Sequence, residues 1–171
     1  MFIQKSSTEE KVDFSKLAAD GVHYINTSQW LLAYSAFAYL SQHTKSKTVD
    51  LLYNMALCHF SAREYAKAVA MLGDAQMKIA TPSVLQNATN SLPNNLLTDE
   101  YDNNYYLLAL NETASELNTN LVKLRIRRLL VDVNVVLENW QEIIRLSALP
   151  EMDKCKNVRE ALAILKSNQN T

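Results

Sequence analysis

Two stretches of this sequence repeat one pattern and decide the fold: residues 17–40 (LAADGVHYINTSQWLLAYSAFAYL) and residues 52–75 (LYNMALCHFSAREYAKAVAMLGDA). They match at a constant offset of 35 residues. The matched pairs are Leu17 with Leu52, Gly21 with Ala56, Tyr24 with His59, Trp30 with Tyr65, Ala33 with Ala68, Phe37 with Leu72, and Leu40 with Ala75. Similar residues at one fixed offset indicate a repeat protein, in which successive units stack on each other.

Each stretch predicts two short amphipathic helices separated by a polar break, at residues 27–28 in the first unit and 61–63 in the second. Antiparallel helices that cross closely need small residues at the crossing, so we expect Gly21 to face Ala33. The equivalent alanines of the second unit should face each other in the same way. Large side chains then fill the space within and between the helix pairs: Tyr24, Trp30 and Phe37 in the first unit, and Tyr65 and Leu72 in the second.

The pattern resembles the tetratricopeptide repeat, whose signature is a leucine or aromatic residue, a small residue and a tyrosine, followed by alanine, an aromatic residue and a closing proline. Here it reads Leu17-x-x-Asp20-Gly21-x-x-Tyr24 with Ala33-x-x-x-Phe37, then Leu52-x-x-Met55-Ala56-x-x-His59 with Ala68-x-x-x-Leu72. His59 replaces the usual tyrosine, Leu72 the usual aromatic residue, and Pro82 follows slightly late. The resemblance implies an all-α fold, a right-handed superhelix of antiparallel helical hairpins.

We expect about three hairpins plus a C-terminal capping helix in one domain. The predicted segments are a flexible N-terminus at 1–12 and a domain at 13–167, with clear repeats at 15–43 and 48–80, an irregular insert at 81–118, a degenerate repeat at 119–149 and the capping helix at 151–167. Within the insert, Thr81-Pro82 predicts the start of a short helix and residues 92–95 a loop. A second helix is expected from Thr98 to about Leu117, because Tyr101, Tyr105, Leu108 and Glu112 have helical spacing.

The degenerate repeat is indicated by residues 138–140, Glu-Asn-Trp, which parallel Arg-Glu-Tyr at 63–65. Ile143 stands where a small alanine is expected, and Ser147 where an aromatic residue is expected. This hairpin should therefore be splayed wider than the first two. The last helix has Val158, Leu162 and Leu165 on one side, as a capping helix requires.

Composition agrees with helices and gives no sign of a charged ligand. The 171 residues include only two glycines and three prolines, which disfavours a turn-rich β fold, and 17 basic residues balance 18 acidic ones. One basic run stands out, at Lys123, Arg125, Arg127 and Arg128. Because these residues alternate around an amphipathic helix, we interpret them as a solvated or salt-bridged face in preference to a nucleic-acid site.

The residues that could carry chemistry are scattered. His23, His43 and His59 have no ligand partner at metal-binding spacing, and Cys58 and Cys155 are too few for a disulfide framework. No nucleophile elbow, phosphate loop or dinucleotide fingerprint occurs. We therefore expect no catalytic, cofactor or metal site, and no enzyme activity.

The first ten residues have no apolar stretch long enough for a signal peptide, and residues 31–40 are too short to cross a bilayer. A cytoplasmic protein with reduced thiols is expected.

The resemblance implies a concave groove lined by the first helix of each hairpin. The groove residues that it implies are Val22, Ile25, Asn26, Asp50, Tyr53, Asn54 and Leu57, with Arg125 and Arg128 in the third repeat. Family members that bind chaperone C-termini use a clamp of lysines and asparagines. In this chain only Asn54 and Arg125 match residues of that clamp. Asn54 is open to two interpretations, a structural residue or a ligand contact.

The resemblance implies a non-catalytic scaffold or adaptor that binds a peptide or helix of another protein in this groove. Neither nucleic acid nor a membrane is expected as a partner. Two alternatives stay open. One is a small chaperone for a secreted or assembling client, and the other is a structural subunit that forms a homodimer through an incomplete repeat edge.

Overall fold

A computed structural model describes residues 12–80, 93–113 and 118–169. Throughout these ranges the chain forms helices and no β-strand, so the all-helical prediction is confirmed there. Except for residue 12, the predicted flexible N-terminus falls outside the described residues, as does the start of the short helix predicted at Thr81-Pro82. The α-helices are α1 (Phe14–Asn26), α2 (Trp30–His43), α3 (Val49–Ser61), α4 (Tyr65–Ala80), α5 (Asn94–Asp102), α6 (Thr119–Val136), α7 (Trp140–Ser147) and α8 (Lys156–Gln169).

In the part of the chain that the structure describes, three helix pairs form hairpins: α1 with α2, α3 with α4, and α6 with α7. Consecutive hairpins also touch, because α2 packs on α3 and α4 packs on α6. The last helix, α8, lies against both α6 and α7. One hydrophobic core therefore runs through the hairpins, from Ile25 in α1 to Ala161 in α8.

The three hairpin corners share one backbone conformation. Ser28, Arg63 and Glu138 occupy the middle of their corners, with left-handed φ angles of 59°, 61° and 55°. At the first corner the N–H of Ser28 donates to the carbonyl three residues back at 2.9 Å, and the next N–H donates to the carbonyl five residues back at 2.7 Å. Both bonds recur at the other two corners. This is the Schellman helix ending, which normally uses glycine because a Cβ strains the left-handed region.

A small residue lies at the first helix crossing, as the sequence predicts. A Cβ placed on Gly21 would lie 2.7 Å from Cζ of Phe37, so only glycine fits without displacing that ring. The side chain nearest to Gly21 is thus that of Phe37, one helix turn after Ala33, which was expected to face Gly21. Ala33 itself is fully buried, as are Ala56 and Ala68 in the second hairpin.

The third hairpin has a shorter second helix than the others, since α7 contains eight residues. Ile143, at the alanine position, is fully buried. Among the aromatic residues assigned to hairpin packing, Phe37 is buried, whereas Trp30, Tyr65 and Trp140 are half-buried. A 3-10 turn at Met152–Lys154 follows Glu151, whose φ is 70°, and α8 begins after it.

The predicted continuous helix from Thr98 to about Leu117 is confirmed at residues 98–102 and wrong at residues 103–111. Helix α5 begins earlier, at Asn94 directly after Pro93, and ends at Asp102. A 3-10 turn at Tyr105–Leu107 follows, and Leu108 is extended with ψ of 151°. Residues 94 and 95, which were predicted as part of a loop, belong to α5.

The helix ends there because Arg128 of α6 binds the carbonyl oxygens of Glu100 and Asn103. In a continuing helix those carbonyls would accept bonds from N–H groups one turn later. The Asn103 side chain also donates to the Asp99 carbonyl at 3.0 Å, which satisfies one of the last carbonyls of α5.

Candidate functional site

Residues 103–111, which we call the groove segment, lie across the side of α1, α3 and α6 where the resemblance implied a groove. Of the nine predicted residues, Asn26, Tyr53, Asn54 and Arg128 hydrogen-bond to this segment, and exposure differs across the nine. Asn26 is exposed, Val22, Asp50 and Arg125 are half-buried, and Ile25, Tyr53, Asn54, Leu57 and Arg128 are buried.

Two asparagines hold the main chain of the groove segment. Asn54 of α3 pairs with Leu110 twice: its Nδ2 donates to the carbonyl at 2.7 Å, and its Oδ1 accepts from the N–H at 2.9 Å. Asn26 of α1 accepts from the N–H of Ala109 at 2.9 Å. Together they bind three backbone groups of two adjacent residues, Ala109 and Leu110. The structure thus places Asn54 in a contact with the chain's own backbone, which agrees with the structural interpretation of this residue.

Tyr106 connects α3 and α6 through the groove segment. The Tyr53 hydroxyl donates to the Tyr106 carbonyl, and the Tyr106 hydroxyl donates to Asp132 of α6 at 2.5 Å. The side chain of Asn157 in α8 donates to the other Asp132 oxygen at 2.7 Å. Because the segment bonds to both neighbours, it fills the space between the first helices of the second and third hairpins.

The two predicted groove arginines also bind inside the protein. Arg125 forms a two-bond ion pair with Glu100, at 3.0 Å and 2.5 Å. Arg128 is fully buried, donates to Asn157 at 2.8 Å, and lies 4.1 Å from the centre of the Tyr106 ring. Such a planar cation over an aromatic face is attractive where water is excluded. Both arginines therefore fix α5 and the groove segment to α6.

Burial dominates the electrostatics of this network. It raises the pKa of Asp132 above its ordinary value, although the bonds from Tyr106 and Asn157 and the charge of Arg128 act the other way. Burial also raises the pKa of both Tyr53 and Tyr106, so the two phenols remain protonated donors. The arrangement orders a segment of chain, and its titratable groups are already bonded to each other.

Two buried polar atoms have no hydrogen-bond partner in the described part of the chain: Nη2 of Arg128 and Oδ1 of Asp50. Arg128 has partial compensation from the Tyr106 ring beneath its guanidinium group. Asp50 lies at the start of α3, where a carboxylate interacts favourably with the helix dipole.

A separate cleft of about 1000 Å³ lies between α5, α6 and residues 150–159. Its charges are mixed, and two ion pairs lie within it, Lys154 with Glu151 at 2.9 Å and Arg159 with Asp102 at 3.2 Å. Lys123 and Arg127 add positive charge along α6. The mixture favours no single class of ligand.

Within residues 12–80, 93–113 and 118–169, no cluster of three or more His, Cys, Asp or Glu side chains could hold a metal ion. Over the same residues, no helix has the length and apolarity to cross a membrane.

Comparisons with protein-family models, curated proteins and solved structures found no significant match.

Sequence reasoning found the helices that carry this site but missed what occupies it. The groove segment, Glu100 and Asp132 have no sequence motif that marks them as neighbours of Asn54. One local signal was present. Asn103 and Asn104 are both weak helix formers, and two in succession indicate a break in the helix predicted there.

Proposed function

We propose that this chain is a non-catalytic protein-binding module of the tetratricopeptide type, with three helical hairpins and a capping helix, whose ligand is an extended peptide of a partner protein. The shared corner geometry of the hairpins and the close approach of Gly21 to Phe37 support the repeat assignment. A superhelix of such hairpins would present its first helices, α1, α3 and α6, on the binding side.

One observation carries the proposal: Asn54 binds both backbone polar groups of a single residue, Leu110, which offers them to the same side as a residue with an extended backbone does. A side-chain amide that bonds a backbone N–H and carbonyl recognises the main chain, and every peptide has these groups. Recognition of an extended backbone, with a side-chain pocket to provide specificity, is a common mode of peptide binding. Asn26 adds the neighbouring N–H and is itself exposed.

The test uses an open chain, in which residues 108–110 are replaced by Gly-Ser-Gly. The probe is a fluorescein-labelled synthetic peptide of residues 107–113, and fluorescence anisotropy measures its binding. We expect saturable binding to the open chain. Asn26→Ala in the open chain should weaken it, because the exposed amide contributes to binding with little effect on folding.

Two proline peptides provide a matched control. Proline at the position of Leu110 removes the N–H that Asn54 accepts, and it should weaken binding about tenfold. Proline at the position of Leu108 should have little effect, because that N–H donates within the groove segment, to Tyr105, at 3.0 Å. If circular dichroism shows a folded open chain that binds no probe at millimolar peptide, the proposal is wrong.

A client chaperone would use the same face and give the same result. A self-associating subunit would instead bind no probe and show a concentration-dependent mass in analytical ultracentrifugation.

A further inference from the structure

We infer that residues 108–111 are a built-in competitor for the proposed ligand, and that Leu110 defines what the ligand must carry: a leucine-sized aliphatic side chain in an extended strand, directly after a small residue. This inference rests on the proposed function. It adds the chemistry of the partner segment and a constraint on when that segment can bind.

The groove segment has two halves with different attachments. Its first half is fixed through side chains and charge, since Tyr106 binds Asp132 and Arg128 binds the carbonyl of Asn103. Both Arg128 and Asp132 lie on α6, where Arg128 is fully buried and Asp132 is half-buried. A foreign peptide could reproduce these contacts only by supplying both the ring and the preceding turn. The first half therefore belongs to the folded domain.

The second half is attached through contacts that another peptide can make equally well. Asn26 and Asn54 bind its backbone, and backbone is the same in any partner. Of residues 108–111, only Leu110 has a buried side chain, with 1% of its surface exposed. Ala109 is half-buried and Leu108 is 41% exposed. The site therefore selects a peptide by two side chains: one buried anchor residue and the small residue directly before it.

Access to the second half comes from the α1 side. Asn26 is exposed, Ala19 two helix turns earlier in α1 is exposed, and Val22 between them is half-buried. The bond between Asn26 and the Ala109 N–H is therefore exposed to solvent at this end of the segment. A peptide can pair first with Asn26 and then replace Ala109 and Leu110 in sequence.

Competition within one chain lowers the apparent affinity for a separate peptide by the fraction of molecules in which the site is vacant. Shortening the anchor in the chain raises that fraction. In anisotropy titrations with the peptide of residues 107–113, Leu110→Ala should bind the probe about 10- to 100-fold more tightly than the wild-type chain. The matched variant Leu108→Ala, which shortens the exposed neighbour, should bind like wild type.

The side-chain requirement is tested on the probe. Lysine at the position of Leu110 should abolish binding to the Leu110→Ala chain, and lysine at the position of Leu108 should preserve it. Equal tolerance of lysine at both positions would show that Leu110 is no anchor, and would overturn the inference while leaving backbone recognition intact.

A readout on the wild-type chain avoids any loss of folding in the variants. Unlabelled probe in excess should speed hydrogen exchange at the internal Leu110 amide and leave the Tyr106 amide unchanged, as measured by mass spectrometry or NMR. Unaltered exchange at Leu110 in a chain that binds the probe, or equal probe affinity for wild type and Leu110→Ala, refutes the competitor. Failure of the open chain to bind refutes the proposed function itself.

Discussion

Replacing Asn54 with alanine tests the contact on which the groove segment depends. The substitution removes the amide that satisfies both the N–H and the carbonyl of Leu110, and all of these groups are buried. Water cannot replace the lost bonds without opening the site. The matched variant is Asn26→Ala, which removes one bond to the same strand at an exposed position.

The magnitude follows from the two bonds. Leaving a buried polar group unpaired costs about 1 to 3 kcal/mol, so two groups cost about 2 to 6 kcal/mol. Alanine is the better helix former by about 0.6 kcal/mol, which offsets part of this in α3. The free energy of unfolding should fall by about 1.5 to 5.5 kcal/mol for Asn54→Ala. For Asn26→Ala the exposed bond and the helix gain nearly cancel, within about 0.5 kcal/mol.

Urea unfolding followed by circular dichroism measures both values, and thermal unfolding should show a fall in Tm on the order of 10 °C for Asn54→Ala. The unfolding slope should stay the same in the two variants. The reasoning fails if both variants unfold at the same urea concentration as wild type, because Asn54 would then contribute no more than an exposed amide.

Three further results are expected. Gly21→Ala should destabilise the chain by about 1 to 2 kcal/mol, because the new Cβ would overlap the buried ring of Phe37. Gly73→Ala should stabilise the chain by about 0.5 to 1 kcal/mol, because nothing lies within 4 Å of a Cβ there and alanine is the better helix former. Equal urea midpoints for the two variants would contradict this. Arg63→Gly should stabilise the second hairpin by about 0.5 to 1 kcal/mol in the same assay, since glycine relieves a left-handed φ of 61°, and a loss would show that the Arg63 side chain matters more than its backbone. Burial raises the pKa of the Cys58 thiol to about 12 and that of Cys155 to about 11, so both should resist maleimide at pH 7 until urea unfolds the chain; rapid labelling of the native protein would contradict their burial.

The hairpins were predictable because their signals are local. A small residue at 21 and 56 and large residues one helix face away define each pair, and the offset of 35 residues reveals the repetition. The corner residues were less informative, since Ser28 and Arg63 are not the glycine that a left-handed ending favours. Their conformation follows from the packing of the two helices that they join.

The groove segment was not predictable because the decisive contacts join distant parts of the sequence. Tyr101, Tyr105 and Leu108 have helical spacing, and that pattern indicated a continuous helix. Arg128 and Asn54, far away in the chain, provide partners that only a broken helix and an extended strand can use. Periodicity describes one face of a segment, whereas these bonds depend on which other segment lies opposite.

The position of Tyr106 between α3 and α6 has a mechanical consequence for the whole chain. The second and third hairpins touch directly where α4 meets α6. Between α3 and α6 the groove segment separates them. The contact between α4 and α6 then acts as a hinge, and the thickness of the groove segment sets the angle between the two hairpins. A smaller side chain in place of Tyr106, or a shorter turn at residues 105–107, would tilt α6, α7 and α8 as one unit without changing any residue in those helices.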